Sequence, residues 1–123
     1  KEGIIVRGDG HVHMNGRAVF TFTVRVIPDS IRKMLEKNGI TPGKIDRFLL
    51  HQGSLHIVNA IADTLGVPRE KCPFNSAEFG NTVSSSVPMI LAEEFNNQEM
   101  KVAVLAGFGV GLSWASTLIF RKF

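Results

Sequence analysis

A histidine and an asparagine stand where apolar runs give way to helix-like ones. His51 closes Phe48-Leu49-Leu50 and opens the loop His51-Gln52-Gly53-Ser54; Asn81 lies in Phe79-Gly80-Asn81-Thr82, ahead of a helix-like run. In α/β proteins, ligands and catalysis collect at the carboxyl ends of strands, beside helix N-termini. An imidazole and an amide at two such ends supply donors able to stabilise a developing negative charge. Taken singly, a packed histidine and a helix-capping asparagine are the commoner roles. Gly80 allows close approach beside Asn81, and the turn Gly107-Phe108-Gly109-Val110-Gly111 can present backbone N–H groups to an oxyanion. No plausible nucleophile precedes the pair in these residues.

Other constellations are weaker. A dinucleotide loop must open a helix so that its N–H groups face the phosphate, whereas Gly107 to Gly111 leads into the strand-like Leu112 to Phe120. A cofactor-binding domain built on that loop is therefore the third choice. His11-Val12-His13 offers two metal ligands without a third, and a solvated loop is favoured. Cys72, the single cysteine, precedes proline in an apolar context and reads as a small buried hydrophobe.

The 123 residues amount to one domain, 44% apolar, with net charge +3 and pI about 9.4. The basic groups are scattered, without aromatic interleaving, which argues against nucleic acid. No apolar stretch approaches the ~18 residues needed to span a bilayer. One cysteine excludes a disulfide framework within the chain and suits a reducing, cytoplasmic setting. The start Lys1-Glu2-Gly3, without methionine, suggests a trimmed or excised chain.

Patterning predicts a mixed α/β order. Ile4-Ile5-Val6 suggests a short strand and Asn15-Gly16 a turn. Phe20 to Val26 alternates like a strand, and Pro28-Asp29-Ser30 opens a helix that Asn38-Gly39 ends. Thr41 to Asp46 is a loop with room for a short helical turn, and Arg47 to Leu50 a buried strand. Ser54 caps a helix striped by Leu55, Val58, Ile61, Ala62 and Leu65 and stopped at Gly66. Cys72-Pro73-Phe74 reads as a short strand or edge segment, Thr82 to Phe95 as a helix holding Ser84, Ser85, Ser86 and Pro88. Lys101 to Ala106 and Leu112 to Phe120 form a final antiparallel hairpin around a turn at Gly107 to Gly111.

Three segments occur in order: Leu50-His51-Gln52-Gly53-Ser54-Leu55, Phe79-Gly80-Asn81-Thr82-Val83-Ser84-Ser85-Ser86-Val87-Pro88, and Gly107-Phe108-Gly109-Val110-Gly111-Leu112-Ser113-Trp114. Together they resemble the C-terminal half of the β-ketoacyl-acyl-carrier-protein synthase III family, thiolase-fold condensing enzymes, from about Val12 to Phe120. The resemblance implies that residues 1–123 form a C-terminal thiolase-like domain, a mixed five-stranded sheet with helices on both faces. It makes Phe20 to Val26 helical despite the alternation, and places the helix from Thr82 in a central layer between two similar halves.

It also implies a Cys–His–Asn set whose cysteine belongs to the N-terminal half. His51 and Asn81 match the family's histidine and asparagine, donors to a malonyl thioester oxygen. The backbone N–H of Val110 matches a second oxyanion donor, with valine where glycine is usual, and Phe108 lines the pocket. The implied activity is decarboxylative condensation of an acyl-CoA-derived group with malonyl-carrier protein at the start of fatty-acid synthesis. No cofactor is implied, acyl-CoA being a substrate. The implied partners are the N-terminal half, acyl-CoA, acyl carrier protein and a second copy in a homodimer, with no nucleic acid and no membrane. Ser54, His56 and Ala115 depart from the family's usual asparagine, arginine and glycine, and the arginine is associated with carrier docking. The competing readings are a non-catalytic thiolase-like binding module and a specialised acyltransferase similar to ketoacyl synthase III.

Overall fold

A computed structural model describes residues 3–122. Strands β1 (Ile4–Val6) and β2 (Val12–Met14) pair antiparallel as a small ribbon. Helix α1 (Gly16–Lys37) follows, then β3 (Arg47–Leu50), α2 (Leu55–Leu65), the short α3 (Ser76–Phe79), α4 (Ser86–Glu94) and the hairpin β4 (Val102–Gly109) and β5 (Ser113–Phe120). β3 runs parallel to β4, and β5 antiparallel to β4, in the order β3-β4-β5. No helix among the described residues is long and apolar enough to cross a membrane.

The expected α/β class and helices on both faces are present, but the five strands do not form one sheet. They divide into a two-stranded ribbon and a three-stranded mixed sheet. Alternation marks a strand; it does not choose the partner, which is decided by long-range pairing. β1 and β2 satisfy each other locally, and Val6, Val12 and Met14 stay exposed.

β3 is buried on both sides, which is why its sequence is a continuous apolar run. Phe48 and Leu50 join Val104 and Ala106 in the larger core with α1 and α2. Leu49 points the other way, to Ala103, Met100 and Ile90 of α4. The parallel register sets Leu49 beside Leu105 and Leu50 beside Ala106, so the strand delivers His51 to one end of the sheet.

The strand-like alternation of Phe20 to Val26 is overridden, as the resemblance implied. The Asn15 side chain caps α1 by accepting from the Ala18 N–H at 3.0 Å, so Asn15-Gly16 begins a helix rather than making a turn. Thr23, Ile27, Ile31 and Leu35 are buried at four-residue spacing, and burying that stripe outweighs local propensity. Pro28 therefore does not open the helix; it lies inside it, at the cost of one backbone hydrogen bond. Thr23 satisfies its buried hydroxyl by donating to the Val19 carbonyl at 2.7 Å.

Three other boundaries differ from the sequence expectation. Cys72 to Phe74 forms no strand; the Pro73 carbonyl and the neighbouring Asn75 N–H bond to the Gln52 side chain instead. The helix expected from Thr82 starts at Ser86, after a 3₁₀ turn over Val83–Ser85. Pro88 then falls in the first turn, where its missing N–H costs nothing. β4 extends to Gly109, so only Val110, Gly111 and Leu112 turn the hairpin. Gly111 has φ +133°, and a Cβ there would sit 3.1 Å from the Ser113 nitrogen, so glycine is required.

The Phe48 side chain is fully buried between β3 and the α1–α2 layer. Phe48→Ala is expected to destabilise the fold by about 3–5 kcal/mol, read from urea unfolding. A loss below about 1 kcal/mol would show that this core does not hold the sheet.

Candidate active site

The end of β3 is held by main-chain bonds before any side chain acts. The His51 N–H donates to the Ala106 carbonyl at 2.9 Å, continuing the ladder to β4. Ser54 then starts α2, its hydroxyl accepting from the Ile57 N–H at 3.2 Å. Between them, Gln52 is only 1% exposed. Its Nε2 donates to the carbonyls of Leu50 at 2.8 Å and Pro73 at 3.2 Å, and its Oε1 accepts from the Asn75 N–H at 2.9 Å.

The His51 ring is wedged between two other parts of the chain. Phe108 of β4 meets it edge to face, with centroids 5.2 Å apart and planes at 88°. Ser86, the first residue of α4, places its Oγ 2.6 Å from His51 Nδ1. The same Oγ accepts from the Gln52 N–H at 3.3 Å. A Cβ at Gly53 would lie 3.5 Å from His51 Cδ2 and 3.6 Å from Nε2, so the glycine faces the Nε2 side of the ring without a side chain of its own.

Asn81 joins this group through Val83. The Asn81 Oδ1 accepts from the Val83 N–H at 2.9 Å, and the residue is exposed. The Val83 backbone also acts on the His51 ring, raising its pKa. This valine has φ +55°, a costly conformation for a β-branched residue and one that tends to occur at functional sites. Its side chain is 70% exposed.

The three sequence segments thus converge: His51 and Gln52 from the first, Asn81, Val83 and Ser86 from the second, Phe108 from the third. Val110 lies two residues beyond Phe108, at the hairpin tip. Its side chain is 63% exposed and its carbonyl accepts from the Ser113 hydroxyl at 2.7 Å. The roles of Gln52, Val83 and Ser86 are absent from the sequence reading. A polar residue directly after His51, and a serine three residues after Val83 at a helix start, were the available signals.

Burial pushes the His51 pKa below its usual 6.5, and the Val83 backbone offsets part of that shift. The ring is therefore neutral near pH 7, able to donate from one nitrogen and accept at the other. Cys72 is buried in the larger core and its thiol is pushed up to about 12 by desolvation, so it supplies no thiolate. His13 Nε2 lies 3.2 Å from Asp9 Oδ2, but no cluster of three metal-ligating side chains forms among the described residues. His56 stacks on Phe20, with centroids 4.8 Å apart. A groove of about 460 Å³ between α1 and β5, lined by Ser30, Lys33 and Trp114 among others, does not include His51 or Asn81.

Residues 35–120 match the family described as 3-oxoacyl-[acyl-carrier-protein (ACP)] synthase III C terminal. The chain is 38% identical over 114 residues to the β-ketoacyl-[acyl-carrier-protein] synthase III of Clostridium perfringens, covering 90% of this chain and 35% of that protein. It is 42% identical over 110 residues to the Gloeobacter violaceus protein of the same description, covering 87% and 33%. The crystal structure of 3-oxoacyl-[acyl-carrier-protein] synthase III from Aquifex aeolicus superposes with a TM-score of 0.91 at 30% identity, covering 96% of this chain and 39% of that one. The chain spans about a third of the length of the curated relatives it matches.

Because burial holds the folded-state value of His51 below the unfolded one, the unfolded chain takes up the proton first as pH falls. The stability tied to neutral His51 is whole above about pH 6.5 and is lost as pH drops through the folded-state value. Urea midpoints of the native chain should therefore fall more steeply between neutral and mildly acid pH than those of His51→Gln. Parallel slopes would show that the ring is not held neutral by burial.

Proposed function

The chain belongs to the 3-oxoacyl-[acyl-carrier-protein] synthase III C-terminal family, and from that premise we propose that residues 1–123 are the C-terminal catalytic half of a decarboxylating condensing enzyme. The other half supplies a cysteine that takes an acyl group from acyl-CoA. The observation that carries the reading is the meeting of His51 with Phe108 and the buried Ser86, with Asn81 bonded to the strained Val83 three residues before that serine.

In the proposed reaction, a malonyl thioester from a carrier protein sits with its carbonyl oxygen toward His51 Nε2 and Asn81 Nδ2. The bond to the carboxylate breaks, CO₂ leaves, and the electron pair delocalises onto the thioester oxygen as an enolate. Two N–H donors in a partly desolvated site favour that charge. The enolate carbon then attacks the acyl thioester on the cysteine. The resulting tetrahedral oxyanion is met by the Val110 N–H, and its collapse releases the cysteine thiolate. No metal or redox group takes part in these steps.

Phe79, Val83 and Val110 expose apolar surface around the site. A face of this kind calls for a partner, and the N-terminal half is the proposed cover. In the complete protein, a homodimer in the cytoplasm is the proposed assembly. A non-catalytic thiolase-like module would use the same apolar face without the donors.

Turnover separates the two readings. In the full-length protein, His51→Ala or Asn81→Ala should lower kcat for malonyl-carrier-protein decarboxylation by about 10²–10³. Residues 1–123 alone should yield no ketoacyl product. Unchanged turnover in both variants, or product from residues 1–123 alone, would sink the proposal.

A further inference from the structure

Neutral imidazole has one proton and two nitrogens, and only the Nε2–H form presents a donor on the side that Gly53 faces. The donor role proposed for His51 therefore needs something that decides between the tautomers. We propose that Ser86 is that positioning residue: its hydroxyl donates to His51 Nδ1 and holds the ring proton on Nε2. This deepens the reading of His51 as an enolate-stabilising donor and rests on it.

The argument is a count of donors and acceptors around one buried oxygen. Ser86 is 1% exposed. Its Oγ already accepts the Gln52 N–H at 3.3 Å and lies 2.6 Å from His51 Nδ1. If Nδ1 carried the proton, Oγ would face two N–H donors, and its own hydroxyl proton would have no partner among the hydrogen bonds of the described residues. A buried hydroxyl proton without an acceptor is costly. With the proton on Nε2, every member is satisfied: Gln52 donates to Oγ, Oγ–H donates to Nδ1, and Nε2–H is left for a ligand. The Val83 backbone works the other way, favouring the charged ring. Against it, Ser86 opens α4, and the positive end of that helix disfavours imidazolium.

Gln52 explains why Ser86 can do this from a distant part of the chain. Its backbone N–H is aimed at Oγ because its side chain is locked to Leu50, Pro73 and Asn75. The residue next to the histidine thus occupies one acceptor site of the hydroxyl that sets the histidine's tautomer.

The test is long-range ¹H–¹⁵N spectroscopy of histidine-labelled full-length protein at neutral pH. His51 Nδ1 should resonate as an unprotonated acceptor nitrogen and Nε2 as a protonated one. Ser86→Ala should move both toward the average expected for mixed tautomers, and Ser86→Thr should restore the separation. In turnover, Ser86→Ala should lower kcat about ten- to a hundredfold, less than loss of the donor itself. Its KM should change by less than about twofold, and Ser86→Thr should recover most of the rate. A wild-type spectrum with the proton on Nδ1, or a Ser86→Ala spectrum unchanged from wild type, overturns the proposal. If Ser86→Ala does not fold, the wild-type assignment alone decides. If His51→Ala keeps full turnover, the condensing function fails while the spectra still judge the Ser86 contact.

Discussion

The buried side-chain amide of Gln52 ties the end of β3 to the separate stretch from Pro73 to Asn75, two segments that share no continuous secondary structure. Each of its two N–H groups meets a carbonyl, one at the end of β3 and one at Pro73, and its oxygen takes the Asn75 N–H. Burying an amide is favourable only when its hydrogen bonds are replaced, and here they are replaced entirely by backbone groups. The segment from Cys72 to Asn75 consequently needs no strand partner. It is held by a side chain, and the same residue's backbone reaches Ser86. His51 is therefore placed by its neighbour as much as by its own contacts.

Around that anchor the sheet and helices divide the work. β3 and β4 are packed on both faces, with α1 and α2 covering one and α4 the other. This rigid centre brings the ends of β3 and β4 together, so that His51 and Phe108 meet edge to face. Val83 carries the strain, with a left-handed backbone that offers its N–H to Asn81 and raises the pKa of His51. A relaxed helix through Val83 would redirect those groups. The interruption before α4 is thus tied to the site, and the exposed Val83 side chain is its visible consequence.

Much of this was readable before any coordinates. The apolar run of β3, the Ser54 cap, the stripe of α2, the Gly66 stop and the final hairpin all follow from local chemistry. His51 and Asn81 could be singled out by their positions at the ends of such runs. Phe20 to Val26 was not readable locally: its alternation is that of a strand, and only the burial of Thr23, Ile27, Ile31 and Leu35 along one side makes it helical. The division of five strands into two sheets was hidden for a related reason, since pairing partners lie far apart in sequence.

The amino-acid sequence alone determined which residue types stand at which ends: an imidazole after a buried strand, an amide after a glycine, a glycine-rich hairpin downstream. These are short-range properties, set by propensity, capping and hydrophobic period. The tertiary structure decided which groups touch. It put Ser86 on Nδ1, Gln52 on Ser86, Val83 between Asn81 and His51, and Cys72 out of reach in the core. The physical reason is that a hydrogen bond or a tautomer depends on distances of a few tenths of an ångström between residues about thirty positions apart. Such distances are fixed by packing the whole domain and not by any single segment.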